Sequence, residues 1–344
     1  MTHSLMVSLA VPAERNPLQF NSVHPVNSVK ISSIAESESM KTNETNSTEA
    51  HQLKLSGFAD EAGAAMEDQI EATCRLGWKW LDLRKVNRKP FYELPMDEVR
   101  RLGDLLAGGG LQVASVGSSV ADWSRSVDEP MDKDLAEMEA LLPRIELLGI
   151  PAVRVMSYKP LGGDPFAADQ MLEERVRRLR IIQQTFSHIL VLHENCMNYG
   201  GLGWHYTLQL VEQVPGLRLV FDTGNPVISP DVASGDRSSR QSSWEFYQRV
   251  LPHITAVHIK DPRPKEEKPG GAFHAAKYVF PGEGEGDVSR IIADLLARRF
   301  SGVVSIEPHL PRPSANEETS FEEAHIRQYV EYGRRLEALI AAAP

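Results

Sequence analysis

Four short runs of aliphatic residues, each cut off by an ionisable side chain, constrain this chain more than any other feature. They read HILVLHEN (188–195), LRLVFDTGN (217–225), ITAVHIKD (254–261) and GVVSIEPH (302–309), and they stop at Glu194, Asp222, His258 and Glu307. Runs this short and this apolar suit strands of a parallel sheet buried on both faces. A helical pattern separates each run from the next, which is the rhythm of βαβ units.

The same rhythm extends towards the amino terminus. LKLSGF (53–58), WKWLDLR (78–84), LQVASVG (111–117) and AVRVMSY (152–158) read as four earlier strands. Helical periodicity over 64–76, 95–106, 133–148, 168–187, 204–214, 244–251, 288–299 and 321–342 gives each strand a helix. Gly77 stands where a glycine commonly ends a helix. Eight strand–helix pairs over 53–344 make a single α/β domain, one (β/α)8 TIM barrel. A doubly wound two-domain fold is the weaker reading, because no glycine-rich turn follows an apolar strand. GEGEGD (282–287) has the glycines without the strand. Residues 1–52 stand apart: from Asn21 to Gln52 they are dominated by Ser, Asn, Thr, Glu and His, the composition of a disordered tail.

Charge and cysteine content narrow the function classes. A net charge of −10 argues against nucleic-acid or anionic-membrane binding, which rely on Lys and Arg. Two cysteines, Cys74 and Cys196, fit a reduced compartment, and no apolar run approaches the ~20 residues of a membrane span. LMVSLAVPA (5–13) lacks the preceding Lys or Arg of a signal peptide. The expected location is cytoplasmic and the expected partner a small molecule; association into a homo-oligomer stays open.

In a barrel the carboxyl ends of all strands open on one face, where active sites lie. Two Glu, one Asp and one His at that rim form an oxygen-rich site for one divalent metal. Mn²⁺ is preferred, with Mg²⁺ or Co²⁺ as alternatives; a structural zinc is disfavoured because no thiolate joins the set. Taken singly, each residue has an ordinary explanation: a strand-end salt bridge for either glutamate, a turn for Asp222, a core histidine for His258. The metal reading rests on finding one per strand at the same rim.

Around the site, His193, Asn195, Asn225 and Lys260 are candidate substrate contacts, although strand alternation is taken to point His193 and Lys260 away from their ligand neighbours. Trp123 can stack on a sugar ring, and Arg263 and Lys277 can bind an anionic group. Asp60, Glu61, Lys85 and Asn87 read more simply as solvated loop groups. Cys196 is expected to be a buried, inert thiol, and Tyr199–Gly203 (YGGLG) a flexible lid.

HEN at 193–195, DTGN at 222–225, HIKD at 258–261 and EPH at 307–309, with GEGEGD after the seventh strand, resemble the xylose isomerase-like TIM-barrel superfamily, specifically its sugar phosphate isomerase/epimerase type. The resemblance covers about 54–340. It implies that Glu194, Asp222, His258 and Glu307 hold one Mn²⁺, Mg²⁺ or Co²⁺, and that Glu194 and Glu307 are the catalytic proton-transfer pair. Asn225 departs from the pattern. Several epimerases carry a substrate-binding histidine there, and the superfamily's endonuclease branch a ligand for one of its three zinc ions.

The chemistry this implies is proton transfer next to a carbonyl. A divalent cation stabilises the enediolate left when the proton departs; one carboxylate removes the proton, and a second acid returns one. Return to the opposite face is epimerisation, and return to the adjacent carbon is isomerisation. The expected function is thus a metal-dependent isomerase or epimerase of a small sugar, keto-sugar or inositol-like substrate. The alternative is a carbon–oxygen lyase on the same scaffold, eliminating water or an alcohol from a keto-sugar, keto-inositol or 3-keto-glycoside. A sugar-binding protein without catalysis ranks third, since it needs no four-ligand metal.

Overall fold

The computed structural model describes residues 53–265, 276–313 and 320–343; the expected tail at 1–52 lies outside them. Eight parallel strands are present: β1 (Lys54–Gly57), β2 (Trp80–Leu83), β3 (Gln112–Gly117), β4 (Ala152–Val155), β5 (Leu190–Glu194), β6 (Arg218–Asp222), β7 (Ile254–Ile259) and β8 (Val303–Ile306). Their order is β1-β8-β7-β6-β5-β4-β3-β2, and a parallel bridge from Phe58 to Asp82 brings β2 back to β1. This ring is a TIM barrel and overturns the two-domain alternative, whose sheets would be open.

Strand alternation builds the interior. Ala152, Leu192, Val220 and Ala256 pack together with Val303 as an apolar layer. Two residues further along four of these strands come Arg154, Glu194, Asp222 and His258, so period two points them to the same side. Ser305 and Glu307 follow Val303 in the same way. A polar layer therefore sits directly above an apolar one, towards the carboxyl ends. Asp82 completes the interior on the other half of the ring: its carboxylate accepts hydrogen bonds from the hydroxyls of Ser56, Ser115 and Ser305.

Eight helices cover the outside: α1 (Met66–Leu76), α2 (Met96–Gly108), α3 (Asp132–Leu148), α4 (Leu172–Thr185), α5 (Trp204–Gln213), α6 (Ser243–Val250), α7 (Val288–Ala297) and α8 (Phe321–Ala342). Their apolar faces bury Val99, Leu102, Ile145, Leu179, Phe246, Ile291 and Leu336 against the outward-facing strand residues. α1 ends at Gly77, whose φ of 71° is the left-handed turn that glycine adopts without steric cost. Its first turn is closed from outside, because Met66 N donates to Asn87 Oδ1 at 3.2 Å. Asn87, expected to be a solvated loop residue, is instead a cap supplied by the β2–α2 segment. Short pieces escape the sequence pattern: a helical turn at Asn225–Ile228, and a ribbon pairing Pro262–Pro264 with Ala276–Tyr278. A single helical turn shows no 3.6-residue period, and the two ribbon strands lack the aliphatic runs that mark the barrel strands. No helix among the described residues is long and apolar enough to cross a membrane.

Candidate active site

β5, β6, β7 and the segment after β8 deliver Glu194, Asp222, His258 and Glu307 to one place. One potential ligand atom from each lies within 4.8 Å of the others, and all four residues are buried. Asp222 Oδ2, His258 Nδ1 and Glu307 Oε2 make no hydrogen bond among the described residues. Buried polar atoms without partners are costly. Here the two carboxylate atoms have only the Lys260 ammonium beside them and His258 Nδ1 has no hydrogen bond, so a divalent cation between the converging side chains would complete all three. The donor set of carboxylates and one imidazole suits a divalent ion, so the residues present fit a metal.

Lys260 belongs to this cluster, and the expectation that it points away is corrected. It follows His258 by two residues, so alternation places both on the same side. Its Nζ lies 3.0 Å from Asp222 Oδ2 and 3.2 Å from Glu307 Oε2, close enough for ion pairs without hydrogen-bond alignment. Burial, partly offset by Lys260 and reinforced by Glu307 and Glu194, pushes the Asp222 carboxyl up to about 6. Burial would also raise Glu307, but Lys260, His309 and Arg84 together hold it well below the usual carboxylate range.

Each glutamate has its own guanidinium. Arg84 Nη1 donates to Glu307 Oε1 at 2.9 Å, while its other nitrogens reach Asp60 and Glu61. Arg154 Nε lies 3.0 Å from Glu194 Oε2, and Asn225 Nδ2 donates to Glu194 Oε1 at 3.0 Å. Both guanidiniums rest on the ring of Phe58, at 4.7 and 5.8 Å from its centre, and His258 meets the same ring edge-on at 5.0 Å. Phe58 thus gathers three polar groups around one aromatic ring. His309 bridges Glu61 and Glu307 at 2.9 and 3.3 Å, and does so from a left-handed backbone with φ of 48°. Burial would lower its imidazole, but Glu61 and Glu307 carry it up to about 9.

Several expectations are corrected by these contacts. His193 is no substrate contact: it faces away from Glu194, as strand alternation indicated, with Nε2 3.0 Å from Ser157 Oγ, and burial pushes it down to about 4. Asn195 spans two strand ends, donating to Asp222 O and accepting from Asp222 N, which leaves its amide occupied by backbone. Arg263 is exposed and donates to Glu283 O, away from the cavity wall. Asp60 and Glu61 are ion-paired wall residues rather than solvated charges. Tyr199–Gly203 is buried throughout, so it is no exposed lid. Trp123 does line the cavity and is 45% exposed, as does Lys277. Cys196 is buried, and desolvation raises its thiol well above the ordinary value, so it stays protonated.

Arg84, Arg154 and His309 went unassigned in the sequence. Arg154 had a signal: a lone arginine between Val153 and Val155 in an apolar strand, two residues from an inward-facing alanine. His309 stood in the quoted EPH motif, but its role depends on a backbone turn that no periodicity reveals. The cavity above the cluster has a volume of about 1160 Å³ and spans the carboxyl-terminal face.

A family model described as the xylose isomerase-like TIM barrel matches residues 70–329. The chain belongs to this family. No curated protein sequence matches this xylose isomerase-like barrel significantly. Among solved structures it is similar to the IOLI protein with a bound zinc atom, at 14% identity and a TM-score of 0.63, covering 85% of this chain and 99% of the other. It is also similar to a probable 3-DHS dehydratase, AsbF, from Bacillus anthracis, at 17% identity and 0.57, covering 80% and 98%. A third is the apo form of the 3-keto-D-glucoside 4-epimerase YcjR from E. coli, at 13% identity and 0.56, covering 83% and 100%. At these identities the likenesses carry the fold alone.

Proposed function

We propose that this protein is a divalent-metal-dependent isomerase or epimerase of a small sugar, keto-sugar or inositol-like substrate. The observation that carries the reading is the convergence of Glu194, Asp222, His258 and Glu307 within 4.8 Å, with three of their atoms left without hydrogen bonds. These four residues would hold the metal. When bound, Mn²⁺, Mg²⁺ or Co²⁺ supplies Lewis acidity towards a carbonyl and a neighbouring hydroxyl.

The rest of the work falls to side chains of the chain itself. Arg84 fixes Glu307, while Arg154 and Asn225 fix Glu194, so both carboxylates are oriented before substrate arrives. They stand on strand ends separated by β6 and β7 and can approach a bound sugar from different sides. One carboxylate removes the proton beside the carbonyl and the other returns one. Asn225 supports Glu194, and Trp123 on the cavity wall offers a face for a sugar ring.

The test is incubation of the purified protein with Mn²⁺ and a panel of keto-sugars and inososes in D₂O. Deuterium incorporation with otherwise unchanged substrate mass is the expected result. An unsaturated product instead identifies the carbon–oxygen lyase reading, in which the same groups expel water or an alcohol. Glu194→Gln and Glu307→Gln should each lower turnover by ~10²–10⁴-fold, the range for removing an acid–base group. Near-normal turnover in both variants with metal still bound refutes the two-glutamate mechanism.

A further inference from the structure

Tyr278 carries a hydroxyl with no partner in the fold. It lies on the ribbon strand Ala276–Tyr278, where Ala276 and Tyr278 are buried and Lys277 between them is exposed. Tyr278 pairs with Pro262, and Val279 N donates to Asp261 O at 3.0 Å, which brings the segment back to the end of β7. There Tyr278 forms part of the cavity wall and meets the His309 ring edge-on at 5.2 Å. It is 8% exposed, yet its Oη makes no hydrogen bond among the described residues.

Other buried tyrosines behave differently. Tyr158, Tyr199, Tyr247 and Tyr332 donate to Asp134 Oδ2, Gln209 Oε1, Asp294 Oδ2 and Ile259 O at 2.9, 2.7, 2.8 and 3.2 Å. A buried phenol ordinarily finds an acceptor, because a buried donor left unpaired costs stability. Burial raises the Tyr278 phenol, an effect that Lys260 opposes and that Asp222 and Glu307 reinforce, so it stays protonated. The electrostatic influence of those three residues places it beside the metal cluster. The other donors there are committed: Arg84 to Glu307, Asn225 to Glu194, and Lys260 to its ion pairs with Asp222 and Glu307.

Resting on the isomerase reading above, we propose that Tyr278 is a further catalytic residue, donating its O–H to the substrate oxygen that gains negative charge as the proton beside the carbonyl leaves. The phenol keeps its own proton, and the proton removed from carbon goes to a glutamate. A fixed donor aimed at developing charge is worth most where water is excluded, and Oη is shielded from solvent. The same hydroxyl is a liability to the fold, as groups held ready for a reaction commonly are.

Tyr278→Phe removes the hydroxyl and keeps the ring, and three measurements on the full chain test the assignment. Without metal, the variant should melt at or above the parent temperature, because an unpaired buried hydroxyl is lost. Mn²⁺ affinity, read by electron paramagnetic resonance, should be unchanged. Glycolohydroxamate, a planar mimic of an enediolate, is then titrated calorimetrically into both Mn²⁺-loaded proteins. The variant should bind it ~10-fold or more weakly, the loss of a hydrogen bond to a charged oxygen. A lower melting temperature would show that the hydroxyl serves the fold, and weaker Mn²⁺ binding that it serves the metal. Either result, or equal hydroxamate affinity in the two proteins, overturns the assignment and leaves the isomerase reading standing. If the parent binds Mn²⁺ but not the hydroxamate, the isomerase reading falls together with this proposal and the metal site survives. Failure of the parent to bind Mn²⁺ overturns all three.

Discussion

Replacing Lys260 by methionine separates the charge of the buried cluster from its shape. Lys260 is 1% exposed, and its Nζ lies 3.0 Å from Asp222 Oδ2 and 3.2 Å from Glu307 Oε2. Water screens neither contact, so the small values typical of surface ion pairs do not apply. Removing one partner of a buried pair costs about 3–5 kcal/mol, because the remaining charge stays buried and uncompensated. Methionine is an adaptable, unbranched replacement, so little of the loss comes from a cavity. For a domain of this size the change lowers the melting temperature on the order of 10 °C. A divalent cation between the same carboxylates would supply the missing positive charge. Lys260→Met should therefore melt well below the parent protein in EDTA and recover most of the difference in excess Mn²⁺. It should also bind Mn²⁺ more tightly, since an ammonium no longer competes for the site. Calorimetric melting of both proteins in the two buffers measures this directly. An equal loss with and without Mn²⁺, or no loss in EDTA, would show that Lys260 and the metal do not serve the same carboxylates.

Asp222→Asn should weaken metal binding while keeping the fold, with activity partly restored at high metal; a Mn²⁺ titration of the variant checks this. Asp261→Ala removes the acceptor for the backbone N–H groups of Gly282, Gly284 and Gly286. With about 1–3 kcal/mol for a buried donor left unpaired, urea unfolding should show a loss of at least ~2 kcal/mol.

The barrel was legible in the sequence because eight strands of a doubly covered sheet must be apolar on both faces, and AVRV, LVLHE, RLVFD and ITAVHI declare that directly. The ligand quartet was legible for the same reason: an ionisable residue at the end of such a run has few places to be except the rim. What stayed hidden depends on contacts between distant segments. Arg84 reaches Glu307 across a separation of 223 residues, and His309 meets Glu61 through a left-handed turn. Lys260 was misread although its parity with His258 was available in the sequence. Asn195 was misread because a polar residue beside a ligand looks like a site residue until its backbone partners are known, whereas alternation had already pointed His193 away from the ligands.

The glycines of GEGEGD acquire a different meaning from the contacts of Asp261. Gly282 N and Gly284 N donate to Asp261 Oδ2 at 2.8 and 2.9 Å, and Gly286 N donates to Oδ1 at 2.9 Å. A Cβ on Gly284 would come within 2.4 Å of that carboxylate, so the chain must lack side chains to wrap so closely. Successive amides gathered around an anion form the kind of nest that elsewhere holds a phosphate. Here the anion is covalently part of the protein. The nest is filled from within, and a free phosphate or nucleotide would have to evict a tethered competitor. The segment acts as a clasp: it fastens the far end of the excursion after β7 to the strand it left. Lys260, next to Asp261 on one side, and the start of α7 at Val288 on the other are thereby held in register with the barrel.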